Sequence, residues 1–184
     1  KKKKGVGWNG SDGERRLINW VNGGFRNLSA EVYETKFPVR IEEFSIRPDT
    51  GGAGRWRGGN GVVRSYRMME DAGGALWFER SKTPAWGLKG GKDAKGPENT
   101  LVLPDGTQET PLKMRARVLP KGTLVITRTG GGGGFGNPLE RPFAEIQRDL
   151  DRGYLSAQAA ESDYGVVVVD GRIDETASTA RATQ

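Results

Sequence analysis

The chain has 184 residues, 29 Lys+Arg, 23 Asp+Glu and a formal net charge of +6, enough for one ordinary domain with an appended arm. Lys1 to Lys4 supply four of those six charges, so a solvated basic terminus explains the balance better than a nucleic-acid surface does. Cysteine and histidine are both absent, which excludes a disulfide framework, thiol chemistry and a Ser-His-Asp triad within this chain, and removes the usual zinc and non-haem iron ligands.

Glycine is the outlier, with 29 residues. Most of the glycines stand in pairs or runs between apolar segments, which points to tight turns between strands rather than to a low-complexity tract. A hydrophobic share of 34% implies a small core, or a piece whose apolar surface is completed by a partner. No apolar run approaches the ~20 residues that span a bilayer. The N-terminal lysines are not followed by the apolar stretch of a signal peptide, so a cytoplasmic location and no membrane contact are expected.

Residues 1–30 read as an extended arm with scattered aromatics, Trp8, Trp20 and Phe25, and one short strand over Leu17–Val21. The tryptophans need cover, from this domain's own sheet or from another subunit. Asn27-Leu28-Ser29 matches a glycosylation sequon, a coincidence without a secretion signal. Residues 31–138 form a β-rich domain with glycine-rich loops. Strands are predicted over Val39–Ile46, Val62–Met69, Ala75–Glu79, Leu101–Leu103, Leu112–Val118 and Thr123–Thr129. Asp105-Gly106 and Pro120-Lys121-Gly122 supply turns. Residues 139–184 form a helical and β tail. A helix runs from Pro142 through Leu150 to a stop at Gly153, and Ser156 caps a second over Ala157–Ser162. An apolar β run over Tyr164–Val169 closes at Asp170-Gly171. Residues 174–184 are a frayed helix or a disordered tail. The expected class is α+β, with short strands in a barrel or a sandwich.

Two glycine-rich segments are candidate sites. Gly51 to Gly61 places Arg55 and Arg57 on either side of Trp56 and ahead of Gly58 and Gly59. On a strand the two arginines share a face, which suits a carboxylate or phosphate ligand with the indole packed inward. The alternative is a hairpin whose arginines bond backbone carbonyls or an acid such as Asp49. Gly131, Gly133 and Gly136 fall in a run that satisfies G-x-G-x-x-G, but Asn137-Pro138 intervenes before any helix opens, which weakens a dinucleotide reading. These glycines instead permit close backbone approach or dihedrals closed to other residues. Lys89-Gly90-Gly91-Lys92 lacks the first glycine and final hydroxyl of a phosphate loop, so its lysines read as solvated. The single Arg57-Gly58-Gly59 leads straight into a strand, unlike the repeats of Gly/Arg nucleic-acid binders, so no nucleic-acid partner is expected. No carboxylate spacing marks an acid/base pair, and catalytic residues stay unassigned.

In order along the chain stand Ser29-Ala-Glu-Val-Tyr-Glu-Thr-Lys-Phe-Pro-Val-Arg40, Arg47-Pro-Asp through Arg57-Gly-Gly59, Pro84-Ala-Trp-Gly-Leu-Lys-Gly-Gly91, Gly130 to Pro138, Gly153-Tyr-Leu-Ser156 and Tyr164-Gly-Val-Val167. Over about residues 20–169 this order resembles the C-terminal part of hydantoinase B-type subunits, the family of ATP-dependent hydantoinases, 5-oxoprolinases and acetone and acetophenone carboxylases. The resemblance implies a C-terminal subunit or fragment, since family members are several times longer and their N-terminal histidine- and aspartate-bearing motifs are absent here. It implies a hetero-oligomer with a hydantoinase A-like subunit and the remainder of a hydantoinase B-like subunit. ATP and Mg, with a catalytic metal as a further option, would sit on those partners, and this chain would bind no cofactor or metal of its own. A mainly structural and assembly role follows. The alternatives are a non-catalytic interaction module and, behind it, a basic Gly/Arg nucleic-acid-binding protein.

Overall fold

A computed structural model describes Gly7, residues 10–13 and residues 28–182. The expected strand over Leu17–Val21, the aromatics Trp8, Trp20 and Phe25, the lysine run and Asn27 lie outside the described residues.

Seven strands lie between Val39 and Arg128: β1 (Val39–Ile46), β2 (Val62–Met68), β3 (Ala72–Trp77), β4 (Glu98–Val102), β5 (Gln108–Glu109), β6 (Lys113–Leu119) and β7 (Leu124–Arg128). They make a five-stranded antiparallel sheet in the order β1-β2-β7-β4-β5 and a separate β3–β6 ribbon. The pairings Val39↔Met68, Tyr66↔Val125 and Leu101↔Val125 bring one apolar face together across four strands. Ala72, Leu76, Met114 and Leu119 of the ribbon pack on that face. Of the two expected arrangements the open, two-layered one forms. No barrel closes, because β1 and β5 are the ends of the sheet and do not pair with each other.

The Pro120–Gly122 turn, with Gly122 at φ 88°, joins two layers instead of closing a hairpin. Met68 fixes it there: Gly122 N–H donates to the Met68 carbonyl at 2.8 Å, and Met68 N–H donates to the Thr123 carbonyl at 2.9 Å. At Asp105-Gly106 only the glycine takes a positive φ, 86°, while the Asp105 carboxylate accepts the Thr107 N–H at 2.9 Å.

A helix absent from the sequence-based expectation, α1 (Ala30–Lys36), precedes β1. Ser29 caps it, accepting the Val32 N–H at 3.4 Å, and Glu34 reaches back to accept the Ile41 N–H on the edge strand at 2.7 Å. Seven residues are too few to show a helical period, so only the Ser29 cap and Glu31 in the first turn could have signalled it.

After β7 comes a 3-10 turn (Pro138–Glu140), then α2 (Phe143–Asp151), which stops before Gly153 at φ 63°. Next is α3 (Ala157–Tyr164), capped by Ser156 and ended by Gly165 at φ 70°. The expected β run shortens to β8 (Val168–Val169), which pairs with β9 (Arg172–Ile173). Asp170 and Gly171 join them, both at positive φ as a two-residue hairpin loop requires. Residues of the tail form α4 (Glu175–Ala182). A second apolar cluster unites Ile146 of α2, Leu155, Ala160 and Tyr164 of α3, Val166, and Ala53 from the first glycine-rich loop.

Tyr164 is 4% exposed, its hydroxyl has no hydrogen-bond partner among the described residues, and burial pushes its phenol up to about 12 against the pull of Arg141 and Arg57. The folded state therefore holds this proton more tightly than the unfolded chain does. That contribution is complete below about pH 10, the ordinary phenol value. It is lost as pH rises through about 12. Urea midpoints of wild type and Tyr164→Phe, measured at intervals upward from neutral pH, are expected to diverge only on the alkaline side, with the variant losing less.

Candidate functional site

Three glycine-rich segments, distant in sequence, meet backbone to backbone. Gly132 to Gly134 run through the middle. Gly52 N–H donates to the Gly132 carbonyl at 2.9 Å, and Gly132 N–H donates to the Gly59 carbonyl at 2.9 Å. From the other side Gly134 N–H donates to the Lys92 carbonyl at 3.0 Å, and Leu88 N–H to the Gly134 carbonyl at 2.9 Å. Gly7 N–H reaches the Gly133 carbonyl at 2.8 Å, and Trp56 and Phe135 exchange both backbone bonds at 2.9 Å. The approach is too close for any side chain. A Cβ on Gly58 would stand 1.7 Å from the Gly132 oxygen, on Gly133 1.9 Å from the Trp86 oxygen, and on Gly131 2.0 Å from the Thr50 oxygen. Space is what these three positions require, since none takes a positive φ; Gly136, at φ 76°, is the candidate that needs the unusual dihedral. The surface so closely approached is the chain's own backbone. The N–H groups of Gly131, Gly132, Gly134, Phe135 and Gly136 all donate to carbonyls of this chain, so these five are not aimed at a phosphate.

Beside this glycine core lies a chain of four alternating charges. Arg57, 1% exposed, grips Asp149, 2% exposed, with Nε to Oδ2 at 2.9 Å and Nη2 to Oδ1 at 3.2 Å. Its Nη1 donates to the Gly58 carbonyl at 2.6 Å. Arg141 donates to the Asp149 carboxylate at 2.8 Å and to both oxygens of Asp12 at 2.6 and 2.8 Å. Asp12 also accepts the Arg57 N–H at 2.8 Å. Burial alone would raise the Asp12 carboxyl, but the hydrogen bond from Arg141 and the charges of Arg141 and Arg57 outweigh it and hold the group below the usual carboxylate range. Burial likewise opposes the Arg141 charge, and Asp12 and Asp149 more than restore it. At its margin Glu145 stands 3.4 Å from Arg141 and Arg148 3.7 Å from Asp12, so three cations face three carboxylates and the cluster is neutral.

The two candidate arginines therefore occupy different environments. Arg57 is turned inward and paired. Arg55 is half-buried, with its guanidinium 4.9 Å from the centre of the Trp56 ring. The acid that meets Arg57 is Asp149 and not Asp49, which instead accepts the Ser156 N–H at 2.7 Å. Lys92 pairs with Asp163 at 2.8 Å on the surface, and Lys89 is exposed. Among the described residues no group of three His, Cys, Asp or Glu side chains could hold a metal ion, and no helix is long and apolar enough to cross a membrane.

Asp12, Arg141 and Asp149 were not found from the sequence. Asp149 carried one faint signal: it follows Ile146 by three residues in an amphipathic helix, an apolar-face position occupied by a charge. Its partners lie 92 and 8 residues away, and Asp12 and Arg141 are separated by 129.

Gly133→Ala is expected to cost about 3 kcal/mol or more, because backbone and not a flexible side chain blocks the new methyl group. Gly73→Ala in β3, where a Cβ meets nothing within 4 Å, is expected to be neutral or slightly stabilising. Asp149→Ala should cost about 3–5 kcal/mol by leaving the buried Arg57 guanidinium without its carboxylate and Arg141 with only Asp12 and Glu145, and adding Arg57→Met should recover part of that. Urea unfolding of the four variants checks all three statements.

Residues 3–138 match the family described as Hydantoinase B/oxoprolinase. An uncharacterised protein of Methanocaldococcus jannaschii is 36% identical over 144 residues, 78% of this chain and 25% of that protein. The caprolactamase subunit beta of Pseudomonas jessenii is 33% identical over 162 residues, 82% of this chain and 27% of that subunit. In fold, the nucleotide-free structure of an ATP-dependent acetone carboxylase superposes with a TM-score of 0.80 at 22% identity, over 95% of this chain and 28% of that one. The chain spans about a quarter of the length of these relatives. The resemblance to hydantoinase B-type subunits is thereby borne out. The chain belongs to the hydantoinase B/oxoprolinase family.

Proposed function

We propose that this chain is the C-terminal piece of a hydantoinase B-like subunit in an ATP-dependent, multisubunit amidohydrolase, where it serves as a scaffold and assembly element. The observation that carries this is the inward direction of the chemistry in its two glycine-rich loops. Arg57 is neutralised by Asp149, and the glycines of both signature loops are occupied by backbone of the same chain. A brace whose paired charges and glycine backbone are engaged within the chain suits a part that holds a site together more than one that performs the reaction. The reactive groups would then come from the rest of the B-like subunit and from a hydantoinase A-like partner, which would bind ATP and Mg and phosphorylate the substrate. Cyclic amides are the preferred substrate class, because the relative named for a lactam is 33% identical, whereas the ketone-carboxylating structure resembles this chain in fold at 22% identity.

Native mass spectrometry of the untagged protein from its source tests the assembly. The expected result is this chain in fixed stoichiometry with larger polypeptides, and ATP-dependent opening of cyclic amides by the isolated complex. ATP-dependent carboxylation of a ketone by that complex would reassign the substrate class. A chain that runs alone and folded would remove the subunit reading in favour of a free-standing interaction module.

A further inference from the structure

The β3–β6 ribbon buries one face only. Ala72, Leu76, Met114 and Leu119 turn toward the core shared with Met68, Leu101 and Val125. Side chains alternate across a strand, so Gly73, Ala75 and Trp77 of β3 and Lys113 and Val118 of β6 share the opposite face. Trp77 is 77% exposed, the most exposed large apolar side chain among the described residues, and Val118 is 65% exposed. Gly73 and Ala75 between them leave low ground, and a Cβ at Gly73 would meet nothing within 4 Å. An indole standing beside small residues offers a large area that its own chain does not cover.

The surroundings are cationic. Lys113 faces Glu79 at 3.5 Å and the Lys121 backbone N–H donates to the Asp71 carboxylate at 2.7 Å, but the guanidinium of Arg115 at the ribbon's bulge and the ammonium of Lys121 just beyond β6 have no ion-pair partner among the described residues. The apolar residues near α1 differ. Val32, Phe37, Phe44 and Met69 are 40–47% exposed, and Phe37 already stacks on Tyr33 with ring centres 4.7 Å apart.

We infer that the outward face of the β3–β6 ribbon docks onto the larger part of the hydantoinase B-type polypeptide, against an apolar surface edged by carboxylates. The inference rests on the subunit reading above. It is carried by the three quarters of a relative's length that this chain does not span, and by the charge that such a surface must complement. Trp77 would be the anchor and Val118 its neighbour, with Lys113, Arg115 and Lys121 at the rim.

The test uses the assembled enzyme, with Trp77→p-benzoylphenylalanine for photo-crosslinking and Val169, exposed on β8, as the control position. The expected product is an adduct with the larger B-type polypeptide from position 77 and none from position 169. Trp77→Asp with Val118→Asp should weaken association at least about tenfold. The urea midpoint of this chain should stay unchanged, since neither side chain is part of its core. Trp77→Phe should retain association. An adduct with a second copy of this chain or with the ATP-binding subunit overturns the inference. So does wild-type association by the double variant, and then the subunit reading survives. If the unmodified chain joins no larger polypeptide, the subunit reading fails and this inference fails with it.

Discussion

Backbone packed directly on backbone is the constraint on which this structure depends. At Gly58, Gly131, Gly133 and Gly134 the nearest atoms to an added Cβ are main-chain carbonyls at 2.0 Å or less. Such segments cannot gain stability by burying side chains, as an ordinary core does. They gain it by exchanging N–H and C=O groups in a space from which water is excluded, where an unmade bond is costly. The requirement is therefore strict in composition and indifferent to hydrophobicity. It explains how a chain with a hydrophobic share of 34% forms a well-connected interior.

The glycine core also ties the two apolar clusters together. Ala53 belongs to the first glycine-rich loop and is buried among the helices α2 and α3, while the same loop leads at Val62 into β2, which lies between β1 and β7 in the sheet. Gly130 to Gly136 follow β7 directly and end at the turn before α2. Sheet and helices thus meet through main chain, and the relative placement of the two halves is set by hydrogen bonds whose direction leaves little latitude.

The ion-pair chain works on the same joint. Arg57 comes from the loop, Asp149 from α2, Arg141 from the turn before it, and Asp12 from the N-terminal segment. Buried ion pairs are a weak source of net stability, because desolvation cancels most of the Coulombic gain. Their effect here is geometric: four charges are compensated only when all four segments are in place. Gly13 adds to this by donating its N–H to the Arg57 carbonyl at 2.6 Å. A segment some 45 residues upstream of Arg57 in sequence is thereby made an integral part of the interior.

The sequence by itself determined the local elements whose cause is local. The strands around Val62–Met68 and Leu124–Arg128, the Ser156 cap, the stop at Gly153 and the Asp170-Gly171 loop all follow from the dihedral and capping preferences of a few adjacent residues. The order of the glycine-rich motifs likewise sufficed for the family. Helix α1 was hidden by its shortness, and the choice of open layers over a barrel by the fact that strand pairing is not encoded within any one strand. Only the tertiary structure decided what the signature residues touch. Arg57 reads the same in sequence whether it faces solvent or Asp149, and Gly133 the same whether it lines a ligand or abuts Trp86. Burial and partner are properties of segments brought together from 92 residues apart and more, and no local preference contains them.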